Sequence, residues 1–138
     1  NMVLPPTEPK VIAVLDWELC TLGDPLADFS YHLMNWVMPP GDSTRGSIMA
    51  IDDLKAWGIP TMDEYVDLYC KHTGRDGLPE LDYYFAYNGF RLAGILQGII
   101  GRVRDGTANS ANAESNAARV VPLAKFAADY ARRAGMPG

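Results

Sequence analysis

In Val11-Ile12-Ala13-Val14-Leu15-Asp16-Trp17-Glu18, five apolar residues in a row run straight into an acid, a tryptophan and a second acid. A run with no polar alternation has the pattern of a strand covered on both faces, and chemistry often collects at the charged end of such a strand. Upstream, Pro5-Pro6-Thr7-Glu8-Pro9 separates this run from the short apolar segment at residues 1–4. Proline cannot donate into a strand ladder, so residues 1–4 and 10–16 are expected to pair as a hairpin around a turn. Downstream, Asp24 suits a helix N-cap and Pro25 the first helical position. A helix is expected from Pro25 to about Val37, with Leu26, Phe29, Leu33 and Trp36 on one face.

Beyond that point the periodicity is helical. Residues 39–47 are polar and proline-containing, a short helical turn is expected at about 53–57, and Gly58-Ile59-Pro60 breaks the chain again. Thr61-Met62-Asp63-Glu64 matches the capping box, in which a hydroxyl and a carboxylate satisfy orphan backbone donors reciprocally. A helix from Met62 to Thr73 should end at Gly74. The longest helix is expected from about Leu81 to Arg104, apolar on two faces and therefore central to the domain. Its Gly89, Gly94, Gly98 and Gly101 each cost ~1 kcal/mol of propensity against alanine, which predicts close packing by a neighbouring helix. A last helix is expected from about 110 to 134, with Val120, Leu123, Ala127, Tyr130 and Ala134 inward and a kink at Pro122. The expected fold is mainly α: a short β-hairpin followed by a helical bundle, in a single domain spanning residues 1–138.

The 138 residues carry 12 Lys and Arg against 17 Asp and Glu, a net charge of −5, and 48% of them are hydrophobic. That balance fits one globular domain rather than a disordered chain. No basic run is present to release counterions from phosphates, which argues against nucleic-acid binding. The most apolar stretch, residues 83–101, contains Asn88, Arg91 and Gln97, which argues against a membrane span. The first residues lack the basic-then-apolar pattern of a signal peptide. Cys20 and Cys70 have no metal-ligand spacing, so reduced thiols and a cytoplasmic location are expected.

Asp16 has two readings. A carboxylate that ends a buried strand and opens a loop into a capped helix can ligate a hard cation, since Mg²⁺ usually takes one or two protein carboxylates plus phosphate oxygens. Turn-forming aspartate is the plainer alternative. The wider string shifts the balance. Val11 through Glu18, followed by Gly23-Asp24-Pro25-Leu26-Ala27-Asp28-Phe29, resembles the metal-binding segment of the aminoglycoside phosphotransferase family, small-molecule kinases with a protein-kinase-like fold. Gly58-Ile59-Pro60 before Glu64-Tyr65, and Phe90-Arg91-Leu92-Ala93-Gly94-Ile95-Leu96-Gln97-Gly98, resemble the kinase-like domains associated with acyl-CoA dehydrogenases. The resemblance covers essentially the whole chain.

That resemblance implies the C-terminal, helical lobe of a kinase-like phosphotransferase using ATP and Mg²⁺. It places Asp16 as the aspartate that coordinates Mg²⁺ on the nucleotide phosphates and Asn1 as the second metal ligand, the last residue of a catalytic loop H-G-D-x-x-x-x-N. The catalytic aspartate of that loop would lie five residues before Asn1. It is not among the 138 residues, nor are the glycine-rich strand pair, its lysine and the hinge of a nucleotide lobe. The 138 residues alone are therefore expected to be inactive, with the N-terminal lobe as their missing partner. Asp28 is implied as an anchor behind the site and Glu18 as a neighbour able to orient water. The acceptor is a small-molecule hydroxyl, the nearest-looking branch suggesting one like a hydroxyacyl-CoA.

Trp36, Tyr65, Tyr87 and Arg91 are candidates for lining the acceptor site, although an aromatic residue at helical spacing is more often packing. Arg91, a lone cation in an apolar helix, needs a partner: an internal carboxylate such as Asp28, or an anionic substrate group. His32 and His72 have no nucleophile near them in the pattern. Two alternatives stay open: a non-catalytic pseudokinase, or a helical binding module that uses an apolar surface and could form a homodimer.

Overall fold

The computed structural model describes residues 1–18, 20–38, 54–107 and 113–137, with the side chains of 113 and 114 outside the description. Strands β1 (Met2–Val3) and β2 (Ala13–Val14) pair antiparallel, with Met2 opposite Val14 and Val3 opposite Ala13. Helices α1 (Pro25–Val37), α2 (Met62–Thr73), α3 (Leu81–Arg104) and α4 (Ala113–Arg133) follow, with a short 3₁₀ turn at Lys55–Trp57 before α2. The fold is mainly helical with one short hairpin, as the residue pattern predicts.

Local chemistry sets the helix boundaries. The Asp24 side chain accepts from the Leu26 N–H and Pro25 follows it, so α1 begins at its expected residue. The capping box of α2 forms in both directions: Glu64 N–H donates to Thr61 Oγ1 at 3.2 Å, and Thr61 N–H to Glu64 Oε2 at 2.8 Å. Gly74, at φ 69°, closes that helix in the left-handed conformation glycine adopts without a Cβ penalty. Helix α4 continues through Pro122, which removes one backbone donor from its interior. The predicted first residues of this helix, 110–112, and the loop at 39–47 lie outside the described residues, as does residue 53 of the predicted short turn.

Helix α3 packs along α4 and against α1. The core joins Phe29, Leu33 and Met34 of α1 to Phe85, Ala93 and Leu96 of α3 and to Leu123 and Phe126 of α4. Tyr130 joins it with its ring centroid 5.1 Å from Phe85 and 4.6 Å from Phe126. Helix α2 is held to α1 by rings. Phe29 stacks on Tyr69 with centroids 3.7 Å apart, and Trp36 stacks on Tyr65 at 5.2 Å.

Four expectations about length and packing need correction. Paired strands extend over two residues each, shorter than the apolar runs suggested. Those runs are also exposed: Ile12 and Val14 keep 59% of their surface accessible and Leu15 54%, because no described helix lies over the hairpin. Finally, among the described residues only Gly89 marks a close helix approach. A Cβ there would meet Phe126 at 2.8 Å and Ala127 at 3.2 Å, whereas at Gly94 and Gly101 nothing described lies within 4 Å. The second apolar face of α3, with Tyr83, Tyr87 and Phe90, is exposed rather than central.

Candidate functional site

The hairpin register brings the two ends of the first sixteen residues together. Leu15 N–H donates to Asn1 O at 2.9 Å, which closes the ladder one residue beyond the Met2 and Val14 pair. Asp16 therefore leaves β2 directly beside Asn1, and Asn1 Nδ2 donates to Asp16 Oδ2 at 3.2 Å. Asp16 has φ 61°, a left-handed conformation aspartate tolerates better than most residues. That conformation turns the chain off the strand axis, and both side chains stay exposed. Glu18 is exposed in the turn that follows.

Two oxygen-bearing side chains thus meet on an open face. The amide carbonyl of Asn1 and the remaining oxygen of Asp16 are available to a hard cation that fills its other positions with water or phosphate oxygens. Among the described residues no group of three or more His, Cys, Asp or Glu side chains could hold a metal by itself. The donor set suits Mg²⁺ shared with a phosphate ligand and does not suit a closed structural zinc site.

The loop from Asp16 ends at Asp24, whose carboxylate is used twice. Its Oδ1 caps Leu26 N–H at 2.9 Å, and its Oδ2 accepts the Tyr84 hydroxyl of α3. The Tyr84 hydrogen bond, with the Leu26 amide behind it, holds the Asp24 carboxyl below the usual carboxylate range. The same bond, followed by desolvation, pushes the Tyr84 phenol up to about 12. Asn88, one turn further along α3, is fully buried and donates from Nδ2 to Ala27 O and to Ser30 Oγ, both at 2.9 Å. The sequence alone does not assign Tyr84 and Asn88 these contacts with the start of α1. Their spacing of four on an apolar helix face was the signal available.

The remaining predicted residues divide into separate groups. Trp36 and Tyr65 stack on each other, and Trp36 Nε1 donates to Pro60 O at 3.0 Å, tying α1 to the turn that precedes α2. His32 packs beside this pair, with centroids 5.6 Å from Trp36 and 5.5 Å from Tyr65. Arg91 is exposed, and its guanidinium lies over the Tyr31 ring at 5.6 Å rather than against a carboxylate. Asp28 is exposed and, among the described residues, makes no ion pair. It borders an open cavity of about 430 Å³ with Tyr31, His32, Leu92 and Arg119. Tyr87 is exposed on another part of α3. Of these four candidates, Trp36 and Tyr65 are in contact with each other, and the described contacts join neither to Tyr87 or Arg91.

Comparison with known proteins agrees with the motif. A model of the phosphotransferase enzyme family matches residues 1–65. The chain is 38% identical over 136 residues, 98% of its length, to mouse acyl-CoA dehydrogenase family member 10. It is 35% identical over 134 residues to human acyl-CoA dehydrogenase family member 11, and 28% identical over 121 residues to the probable acyl-CoA dehydrogenase IBR3 of Arabidopsis thaliana. It spans 12% of the mouse protein, 17% of the human one and 14% of the plant one. No solved structure matches. No helix among the described residues is long and apolar enough to cross a membrane. Residues 1–65 therefore match the model of the phosphotransferase enzyme family, and the chain over almost its whole length is similar to the acyl-CoA dehydrogenase family members 10 and 11.

Proposed function

We propose that the chain forms the metal-binding and helical part of an ATP- and Mg²⁺-dependent phosphotransferase that phosphorylates a hydroxyl of a small molecule. The observation that carries this reading is the pairing of Asn1 Nδ2 with Asp16 Oδ2 on an open face, at the end of the hairpin matched by the family model. Asp16 and Asn1 would hold the cation. Mg²⁺ bound there supplies charge neutralisation to the phosphates of the nucleotide. The chain's own work is positional. The hairpin holds Asn1 and Asp16 together, and the left-handed turn at Asp16 keeps both side chains on one face, where positioning is the main catalytic contribution.

Asp28 stands four residues after Asp24 and is open to a hydrogen-bond donor from a neighbouring segment, and Glu18 is free to orient metal-bound water. The relatives are named for acyl-CoA dehydrogenase, and an acyl-CoA carrying a hydroxyl is the acceptor class we infer. Both cysteines are free, which supports a reducing, cytoplasmic setting. The 138 residues contain no H-G-D loop and no glycine-rich phosphate loop, so turnover requires those parts from elsewhere in the polypeptide.

The test uses the whole natural polypeptide, with ATP consumption followed against a panel of hydroxyacyl-CoAs, sugars and amino alcohols. Asp16→Asn should lower kcat by at least about a thousandfold with unchanged helix content, in line with the loss of a metal ligand at a phosphoryl-transfer centre. Full turnover by Asp16→Asn would remove this residue from the site and the reading with it.

A further inference from the structure

We propose that Tyr84 and Asn88 are positioning residues of the Asp16 centre: from one face of α3 they clasp the start of α1 and so fix the far end of the loop that carries Asp16. The proposal rests on the reading of Asp16 as a metal ligand.

Residues 84, 88 and 91 recur at the spacing that places side chains on one helix face. Their partners climb α1 in the same order. Tyr84 donates to Asp24, Asn88 donates to Ala27 O and Ser30 Oγ, and Arg91 covers the Tyr31 ring. The two helices are joined by a graded polar seam, strongest where α1 begins. Between Asp16 and Asp24 the described residues have little to hold them. Among the described residues, the loop makes one backbone hydrogen bond of its own, from Cys20 N–H to Trp17 O at 2.9 Å. Leu22 is fully exposed and Trp17 is 68% exposed, so the packing of these two side chains does not restrain the loop either. The described residues of the loop are therefore held at its two ends, by the hairpin at Asp16 and by Asp24.

Two features separate positioning from ordinary packing. A helix N-cap needs one acceptor, and Asp24 Oδ1 provides it; the Tyr84 bond to Oδ2 is additional to capping. Asn88 is fully buried, yet its Oδ1 has no partner among the described residues. An apolar side chain of similar volume would avoid that desolvation cost. What Asn88 does supply is a fork that grips two points one turn apart on α1.

Tyr84→Phe removes a single hydroxyl and Asn88→Ala a single amide, each made in the whole natural polypeptide. Two measurements are compared: the Mg²⁺ concentration giving half-maximal turnover, and amide hydrogen exchange across residues 17–24. With one charge-assisted hydrogen bond lost, Tyr84→Phe should raise the Mg²⁺ requirement by about threefold to tenfold, with kcat at saturating Mg²⁺ within about twofold of the parent. Exchange in the loop should quicken while exchange in the centre of α4 stays constant. Asn88→Ala should shift both readouts in the same direction. Unchanged loop exchange, or quicker exchange with an unchanged Mg²⁺ requirement, would overturn the clasp. Asp16→Asn, assayed alongside, separates the two ideas. Its full activity would sink the metal reading itself, whereas its inactivity beside an unaltered Tyr84→Phe would sink the clasp alone.

Discussion

Asp24 looks like an ordinary capping residue in the sequence, and the structure gives it a second occupation. Its contact with Tyr84 links two titrations of opposite sense. Asp24 is depressed in the folded chain, so its contribution is present above the ordinary aspartate value and is lost as pH falls through the lowered one. Tyr84 is raised to about 12, so its contribution is complete below the ordinary phenol value of 10.0 and is lost as pH rises from there through about 12. The clasp is therefore intact across the whole neutral range. In an alkaline titration followed by tyrosinate absorbance, Tyr84 should ionise about two units above an ordinary exposed tyrosine, and Tyr84→Phe should delete that step. Asp24→Ala should bring the Tyr84 step back toward 10.0, because the hydrogen bond to the Asp24 carboxylate is the largest cause opposing ionisation, ahead of desolvation and the carboxylate charge. Persistence of the high step in Asp24→Ala would assign the shift to burial instead.

At the level of elements, what was legible depended on whether a signal was local. Caps are local: Asp24-Pro25, the Thr61 and Glu64 box and Gly74 set three boundaries by chemistry within a few residues, and the helices begin and end there. The Asn1 and Asp16 juxtaposition was legible through the family motif and the hairpin length, and not through either residue by itself. Contacts between elements were not legible in this way. Four glycines on α3 look alike in the sequence, yet among the described residues only Gly89 faces α4 closely, because which face meets a neighbour depends on how the helices pack and not on the glycine. Gly89→Ala would push a methyl into Phe126, a core ring, and should destabilise the fold by about 1–3 kcal/mol, as overpacking does. Gly94→Ala meets nothing described within 4 Å and should stabilise α3 by about 1 kcal/mol through helix propensity alone. Urea unfolding of the two variants should give shifts of opposite sign.

For the molecule as a whole, the polarity of the hairpin is inverted relative to its exposure. Val11, Ile12, Val14, Leu15 and Trp17 have the composition of a covered strand, and each keeps 45% or more of its surface accessible. The sequence could not reveal this, since a strand's residues record that it should be covered but not what covers it. A two-residue ladder with an apolar face and free edges is a weak element and an adhesive one. The three helices α1, α3 and α4 share one core and do not need the hairpin to stay packed. The isolated 138-residue chain should therefore stay helical while associating through its hairpin end. Sedimentation velocity should show a weight-average mass rising with concentration. Ile12→Lys combined with Val14→Glu should return it toward monomer with the far-ultraviolet helical signal unchanged, because charged side chains at 12 and 14, which share one strand face, replace the apolar surface that drives stacking. If association persists in that variant, the contact lies instead on the other exposed apolar face, where Tyr87 and Phe90 of α3 stand, and substitution of Phe90 by a charged residue would abolish it. In the whole polypeptide the same hairpin substitutions should also weaken Mg²⁺-dependent turnover, since Val14 pairs with Met2 and that register is what delivers Asn1 to Asp16.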